Sequence, residues 1–192
     1  MKVIEILKES AEILGLDNQV EILSTATEDK ESTLLEDKEI STLFNLFKFS
    51  ARELCTNYIP VATKQTITTQ ELKFPIVDLK NYIRTISVTK NGERANYKIL
   101  NRNLVFVEDG EYEIEYASYP DIESIFDEID FLATYSTEAL VFGLCSYYSI
   151  SKGLFDEFQM FHGSYIAKAE SIRALKTFVM PQRRWEWEQK NV

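Results

Sequence analysis

The chain has 192 residues, 45% hydrophobic and 12% aromatic, and its 31 acidic against 21 basic residues give a net charge of −10. That composition excludes a largely disordered chain, and the acidic balance argues against a protein that wraps duplex DNA by neutralising phosphates. No run of about 18 apolar residues exists, so no membrane-spanning helix is expected. The length suits one domain with a sizeable core, or one domain carrying an insertion. Met1-Lys2-Val3-Ile4-Glu5 has an acid by its fifth residue and lacks the apolar run of a signal peptide. Cys55 and Cys145 lie far apart inside apolar helical patterns. They read as buried, reduced thiols of a cytosolic protein, with a disulfide or a catalytic thiol as the alternative.

In chain order, Val3, Ile4, Leu7, Ala11 and Leu14 predict a first amphipathic helix, stopped by Gly15. Asp17 to Lys30 is ambiguous: Val20, Ile22 and Leu23 suggest a short apolar turn before a polar linker from Ser24 to Ser32. A stronger helix is predicted from about Asp37 to Tyr58, on the stripe Ile40, Leu43, Phe44, Phe47, Ala51, Leu54 and Tyr58. Pro60 ends it, because the residue before a proline is pushed out of the helical region.

The period then changes to two. Val61 to Thr69 and Ile83 to Thr89 are rich in Thr, Val and Ile and predict strands. Asn91-Gly92 is a preferred two-residue hairpin turn, with Tyr97, Ile99 and Leu100 assigned to the returning strand. Asn101-Arg102-Asn103 turns the chain into Leu104 to Val107. Asp109-Gly110 is a second hairpin signal, followed by Tyr112, Ile114 and Tyr116 alternating with glutamates. Sequential antiparallel strands, apolar on one face, are expected to stop at Pro120. Asp121 to Phe131 reads as a short acidic helix or turn.

Ser136 to Thr177 reads as two helices joined at Gly153, the spine of the fold. The first carries Leu140, Leu144, Tyr147, Tyr148 and Ser151 on one face, with Ser136 or Thr137 as its cap and Glu138 in its first turn. Its small residues Ala139, Gly143 and Ser146 mark where another helix can approach closely. The second carries Phe158, Phe161, His162, Tyr165, Ile166, Ala169 and Ile172. The expected class is α+β: mainly a bundle of about four helices, an inserted antiparallel β module of about three to five strands and an extended C-terminal arm. As a single domain it comprises N-terminal helices (1–60), the β insertion (61–118), C-terminal helices (121–177) and the arm (178–192). Neither helix pair can bury its apolar face alone, so the helices before and after the insertion are expected to meet.

The search for chemistry comes back almost empty. His162 is the only histidine, which excludes a multi-histidine metal site, and on a packed helix it reads as a core or edge residue. No CxxC pair, glycine-rich phosphate loop or nucleophile elbow is present. Asp127 and Asp130 share the spacing of a carboxylate pair for acid–base work, but sit in a run of acids that reads better as solvated surface. Phe44, Phe47, Phe49 and Tyr58 have the spacing of a core rather than of a base-stacking platform. No enzyme activity, cofactor or metal is expected. Charge is unevenly spread: ten acids and no Lys or Arg from Glu108 to Asp130, against six basic and three acidic residues from Lys168 onward. The two ends are either solvated faces or surfaces that meet different partners.

The closing segment differs from an ordinary fraying tail. After Phe178-Val179-Met180-Pro181 comes Gln182-Arg183-Arg184-Trp185-Glu186-Trp187, holding both tryptophans of the chain. Trp and Arg are hot-spot residue types, so Arg183, Arg184, Trp185 and Trp187 read as a docking arm for another protein or another copy. The alternative is a tail folded back on its own domain.

Several stretches together resemble the head–tail adaptor (connector) proteins of tailed bacteriophages. They are Met1 to Lys8 with Leu14-Gly15-Leu16, Leu54-Cys55-Thr56-Asn57-Tyr58-Ile59-Pro60, and Tyr112-Glu113-Ile114-Glu115-Tyr116 before Pro120. The fullest match is Gly143-Leu144-Cys145-Ser146-Tyr147-Tyr148 with Lys152-Gly153-Leu154-Phe155 and Tyr165, and Arg183-Arg184-Trp185 is of the same group. The resemblance implies a structural virion protein, made in the bacterial cytoplasm and located in the virion neck. It implies a ring of about twelve copies beneath the portal protein, continuing the DNA channel toward the tail or a second connector protein. Pro181 to Trp187 would then grip the portal, and DNA would pass through without specific binding. Many such adaptors have only a hairpin where this chain has several strands. Of the acids, Asp121, Asp127, Glu128 and Asp130 are expected at the channel wall or the subunit seam, where negative charge denies DNA its phosphate partners. Two other classes remain open: a protein–protein interaction module unrelated to phage, and a nucleic-acid-binding regulator.

Overall fold

The computed structural model describes residues 1–129 and 134–178. Among them are six α-helices and seven strands in two antiparallel sheets, a mixed α plus β fold. The chain divides into two compact units, Met1–Leu54 with the described residues from Ile122 onward, and Cys55–Asp121.

The first unit is helical. Helix α1 (Val3–Ile13) opens with the Glu5 carboxylate accepting the Lys2 amide at 3.0 Å and ends before Gly15, whose φ of +67° reverses the chain. The stretch read as ambiguous contains a second helix, α2 (Asp17–Ser24), a 3₁₀ turn (Glu28–Lys30) and a short α3 (Glu31–Glu36). Helix α4 (Lys38–Asn57) is capped by Asp37, whose Oδ1 accepts the amides of Glu39 at 2.9 Å and Ile40 at 3.0 Å. Asp37 thereby satisfies two of the amide donors a helix start leaves open.

Helices α5 (Thr134–Ser151) and α6 (Phe155–Phe178) form an antiparallel hairpin through Gly153, φ +76°. Helix α5 starts at Thr134, so Ser136 and Thr137 lie inside its first turn rather than at its cap. The expectation of one buried face on α5 is also revised. Ala139, Leu140, Val141, Gly143, Leu144, Cys145, Ser146, Tyr148 and Ser149 are all buried, which encloses the helix on nearly every side. Its neighbours account for this: α1 and α6 pack on it, and its tyrosines reach α4. On α6 the buried residues are Phe161, Tyr165, Ala169 and Ile172, one stripe at helical spacing.

Of the helix or turn expected here, the turn is what forms: Ile122 to Ile129 holds no helix and turns at Ile125–Phe126, with the Asp127 amide donating to Ser124 O at 3.3 Å. Asp127 Oδ2 accepts the amides of Glu123 and Ser124, each at 2.8 Å, and Glu31 accepts the amide of Ile125 at 2.8 Å, so these donors are already used. The segment pairs with the start of α1 through Val3 N–H to Asp127 O (3.0 Å), Ile4 N–H to Ile125 O (2.7 Å) and Ile129 N–H to Met1 O (2.8 Å). Residues on either side of the insertion thus join into one helical unit.

The second unit is a two-sheet β module. Strands β1 (Val61–Thr69), β3 (Tyr82–Lys90), β4 (Glu93–Arg94) and β7 (Gly110–Ser118) form one sheet in the order β1-β7-β3-β4. Strands β2 (Lys73–Pro75), β5 (Tyr97–Leu100) and β6 (Asn103–Phe106) form the other, in the order β2-β6-β5. Two sequence readings are corrected here. Tyr97, Ile99 and Leu100 do not return along β3; they pair with β6, Tyr97 opposite Phe106 and Leu100 opposite Asn103. Asp109-Gly110 is not a hairpin turn but the passage between sheets, with the Asp109 carboxylate accepting the Leu72 amide at 2.7 Å. The strands therefore number seven, not three to five, and β1 pairs with the last of them across nine unbroken positions, Val61↔Ser118 to Thr69↔Gly110. Ile67, Val88, Tyr112, Ile114 and Tyr116 of one sheet close a single core with Leu104 and Phe106 of the other and Leu79 of the intervening loop.

Candidate functional site

The densest meeting of polar and aromatic groups among the described residues is where α4, α5 and α6 converge. Gly143 makes it possible. A Cβ at that position would lie 2.2 Å from Ser50 Oγ and 3.2 Å from the Tyr165 ring, so only hydrogen fits. With the helices this close, the Glu53 carboxylate on α4 accepts the hydroxyl of Tyr147 from α5 and, at 3.1 Å, that of Tyr165 from α6. Phe49 stacks edge-on against Tyr147 at 4.8 Å, and His162 lies 5.1 Å from Phe158 and 6.0 Å from Tyr165 between ring centres.

A second bridge repeats the design about four turns earlier on α4. Glu39 accepts the Tyr148 hydroxyl at 3.0 Å and the Lys152 ammonium at 2.7 Å. The lysine hydrogen bond holds the Glu39 carboxyl below its ordinary range, while burial, helped by the adjacent carboxylate, raises the Tyr148 phenol. Two glutamates of α4 thus bind three tyrosines and a lysine of the hairpin. Glu39 uses both of its oxygens and Glu53 takes two phenols on Oε2, so the arrangement acts as a lock between helices. Sequence reasoning did not single out Glu39 or Glu53. Their signal is a carboxylate at the edge of an apolar helical stripe, with tyrosines on another helix.

Cys55 and Cys145 are free and buried. Burial pushes the Cys145 thiol up to about 12, and its Sγ–H donates to Ser10 O at 3.8 Å, so at neutral pH it is a protonated packing group. His162 Nδ1 is buried without a hydrogen-bond partner among the described residues.

The acids are dispersed rather than gathered. Asp121, in the β module, ion-pairs with Lys80 and accepts Asn81 Nδ2 at 3.4 Å, and the lysine holds its carboxyl below the usual range. Asp127 is engaged by the turn amides of Glu123 and Ser124. Glu128 contributes its backbone to the bridge with Lys2 and is exposed. Asp130, and the arm residues Arg183, Arg184, Trp185 and Trp187, lie outside the described residues. On β7, Glu113 pairs with Lys64 at 3.2 Å and Glu115 accepts Ser87 Oγ at 2.8 Å.

A groove of about 560 Å³ beside the β3–β4 turn is lined by Lys90, Arg94, Val107 and Tyr112 among others. Lys90 is taken by Glu108 at 2.8 Å, which removes much of the groove's positive character. Exposed apolar side chains of the helical unit include Met1 and Ile13 near the ends of α1. Ile150, Leu154, Phe155 and Met160 mark the turn end of the α5–α6 hairpin, and Phe49 stands on α4. Among the described residues no group of three or more His, Cys, Asp or Glu is placed to hold a metal ion, and no helix is long and apolar enough to cross a membrane. No protein-family model matches the chain, and no curated protein is significantly similar to it.

Proposed function

We propose that this protein is a structural virion component without enzymatic activity, a head-to-tail adaptor that forms a ring beneath the portal of a tailed bacteriophage and continues its DNA channel. The observation that carries the reading is where the resembling residues lie. Gly143 to Tyr148, Lys152 to Phe155 and Tyr165 build the α5–α6 hairpin and supply every hairpin group in the two glutamate locks. A ring subunit under load needs such a rigid spine, because force passes between copies through helices that must not slide. In this reading Arg183, Arg184, Trp185 and Trp187 dock on the portal, and the β module faces the tail or a neighbouring copy. The channel wall or the subunit seam takes its charge from Asp121, Asp127, Glu128 and Asp130. Because Lys80 neutralises Asp121, Glu128 and the neighbouring Glu123 supply more net field than Asp121 does.

The test is a chain ending at Met180. It is expected to keep the helical circular dichroism of the full chain and to lose co-assembly with the portal protein encoded in the same genome. Unchanged co-assembly would remove the arm from the account.

A further inference from the structure

Strand β1 is the edge of the larger sheet, and it runs nine residues in unbroken register with β7. Among the described residues its hydrogen bonds all go to β7. Beyond the ladder itself, Val61 and Thr63 meet Ser118, Lys64 meets Glu113, Gln65 meets Tyr116 and Thr69 meets Gly110. Alternate residues of an edge strand direct their N–H and C=O away from the neighbouring strand, so the far side of β1 presents a row of open backbone groups among the described residues. Proteins guard such edges with bulges, prolines, short strands or outward lysines. Val61–Thr69 contains no bulge and no proline, and its one charged residue, Lys64, is drawn to Glu113 of β7 at 3.2 Å. The other edges are guarded. The outer side of β3 carries two register shifts, is covered by β4 at Thr89 and Lys90, and has Val88 O taken by the Ala95 amide at 2.9 Å. Strand β2 has three residues, one of them Pro75, and β5 has four.

We propose that β1 pairs antiparallel with β1 of a second copy about a two-fold axis, joining the two four-stranded sheets into one. The partner follows from the edges just described, because within a second copy β1 is the one described strand whose open edge matches it in length and regularity. Charge permits the pairing. Directly opposed residues of antiparallel strands share a face, so the exposed Ala62, Lys64, Thr66 and Thr68 must oppose one another. The register that overlaps the whole strand centres on Gln65 and sets Lys64 against Thr66 and Ala62 against Thr68. It opposes no like charges, whereas a register centred on Lys64 would set two ammonium groups together. On the other face Thr63 meets Ile67, a β-branched pair. Such a contact is isologous and stops at two copies. It therefore goes beyond the ring-adaptor reading and is separate from the unlike contacts that a ring requires.

Disulfide mapping tests the pairing, since Cys55 and Cys145 are buried and leave an introduced thiol as the reactive one. Lys64→Cys and Thr66→Cys chains, one carrying a longer tag, are oxidised separately and mixed. The mixture is expected to give a disulfide-linked dimer of unlike chains. Each chain alone is expected to give at most a trace, because its two thiols are offset along the strands beyond disulfide reach. Linkage that is absent from the mixture, or as strong in either chain alone, would overturn the pairing. Sedimentation supplies a second reading. Thr66→Lys is expected to weaken the monomer–dimer equilibrium by about threefold or more, by facing Lys64 of the second copy twice over, and Thr66→Glu to tighten it. Folding stability is expected to move the opposite way, since Thr66 lies opposite Glu113 of its own β7. Dimerisation indifferent to both substitutions, or a wild-type chain that sediments as a monomer at every concentration, would also overturn the proposal.

Discussion

Gly143 and Ser50 meet at the closest approach of α4 to α5, and the contact has a measurable signature. Gly143→Ala puts a methyl 2.2 Å from Ser50 Oγ and is expected to lower stability by about 1–3 kcal/mol, the usual cost of overpacking. Ser50 Oγ is buried without a partner among the described residues, so Ser50→Ala alone is expected to be neutral or mildly stabilising. Combined, the two substitutions are expected to recover part of the loss, a non-additivity that urea unfolding reads directly. Strict additivity would mean the helices do not meet there. Cys145 gives a pH signature. Its thiol holds its proton to about 12 in the folded chain against an ordinary value near 9.0, so above pH 9 the unfolded chain binds fewer protons. Stability is therefore full below that pH and is expected to fall by about 1.4 kcal/mol per unit as pH rises toward 12. Cys145→Ala is expected to flatten that slope. An unchanged alkaline slope would show that other groups set it.

At the scale of single elements, the turns are the places to probe. Arg102 occupies a left-handed position, φ +62°, in the two-residue turn between β5 and β6, where glycine is the natural residue. Arg102→Gly is expected to stabilise the β module by about 0.5–1 kcal/mol, read as a higher midpoint of thermal unfolding. A lower midpoint would mean the arginine side chain is needed for packing. Elements whose cause is local were legible in the residues. Asp37 and Pro60 bracket α4, Gly15 and Gly153 end their helices, and the Thr-rich run Val61–Thr69 coincides with β1. What was not legible is partnership. Alternation tells which face of a strand is buried but not which strand lies beside it, so Tyr97–Leu100 was placed along β3 when its partner is β6. Asp109-Gly110 has hairpin composition, yet its carboxylate serves Leu72, thirty-seven positions away in the chain. Helix α2 escaped notice because an eight-residue helix draws its stability from packing rather than from its own sequence. The glutamate locks were hidden for the same reason, since Glu53 and Tyr165 are brought together only by the fold.

At the scale of the whole molecule, the chain holds two units: a helical one whose own helices are joined by polar locks, and a β module with its own core. The chain's net charge of −10 disfavours neutralising phosphates, and in the proposed ring it would suit a passage through which DNA slides. The Glu53 lock gives this scale its own expectation. Tyr147→Phe with Tyr165→Phe removes both hydroxyl donors to a half-buried carboxylate and is expected to cost about 2–4 kcal/mol in the helical unit. The variant is also expected to form rings less completely than the parent at equal concentration. A variant that loses stability but assembles as well as its parent would separate the spine from the ring.

The central claim meets its most direct test in cryo-electron microscopy of the full chain mixed with the portal protein of its own genome. The account predicts a coaxial ring on the portal, with an open channel and the residues around Arg183 to Trp187 in contact with portal density. A portal that stays bare at saturating concentrations of the chain would contradict it.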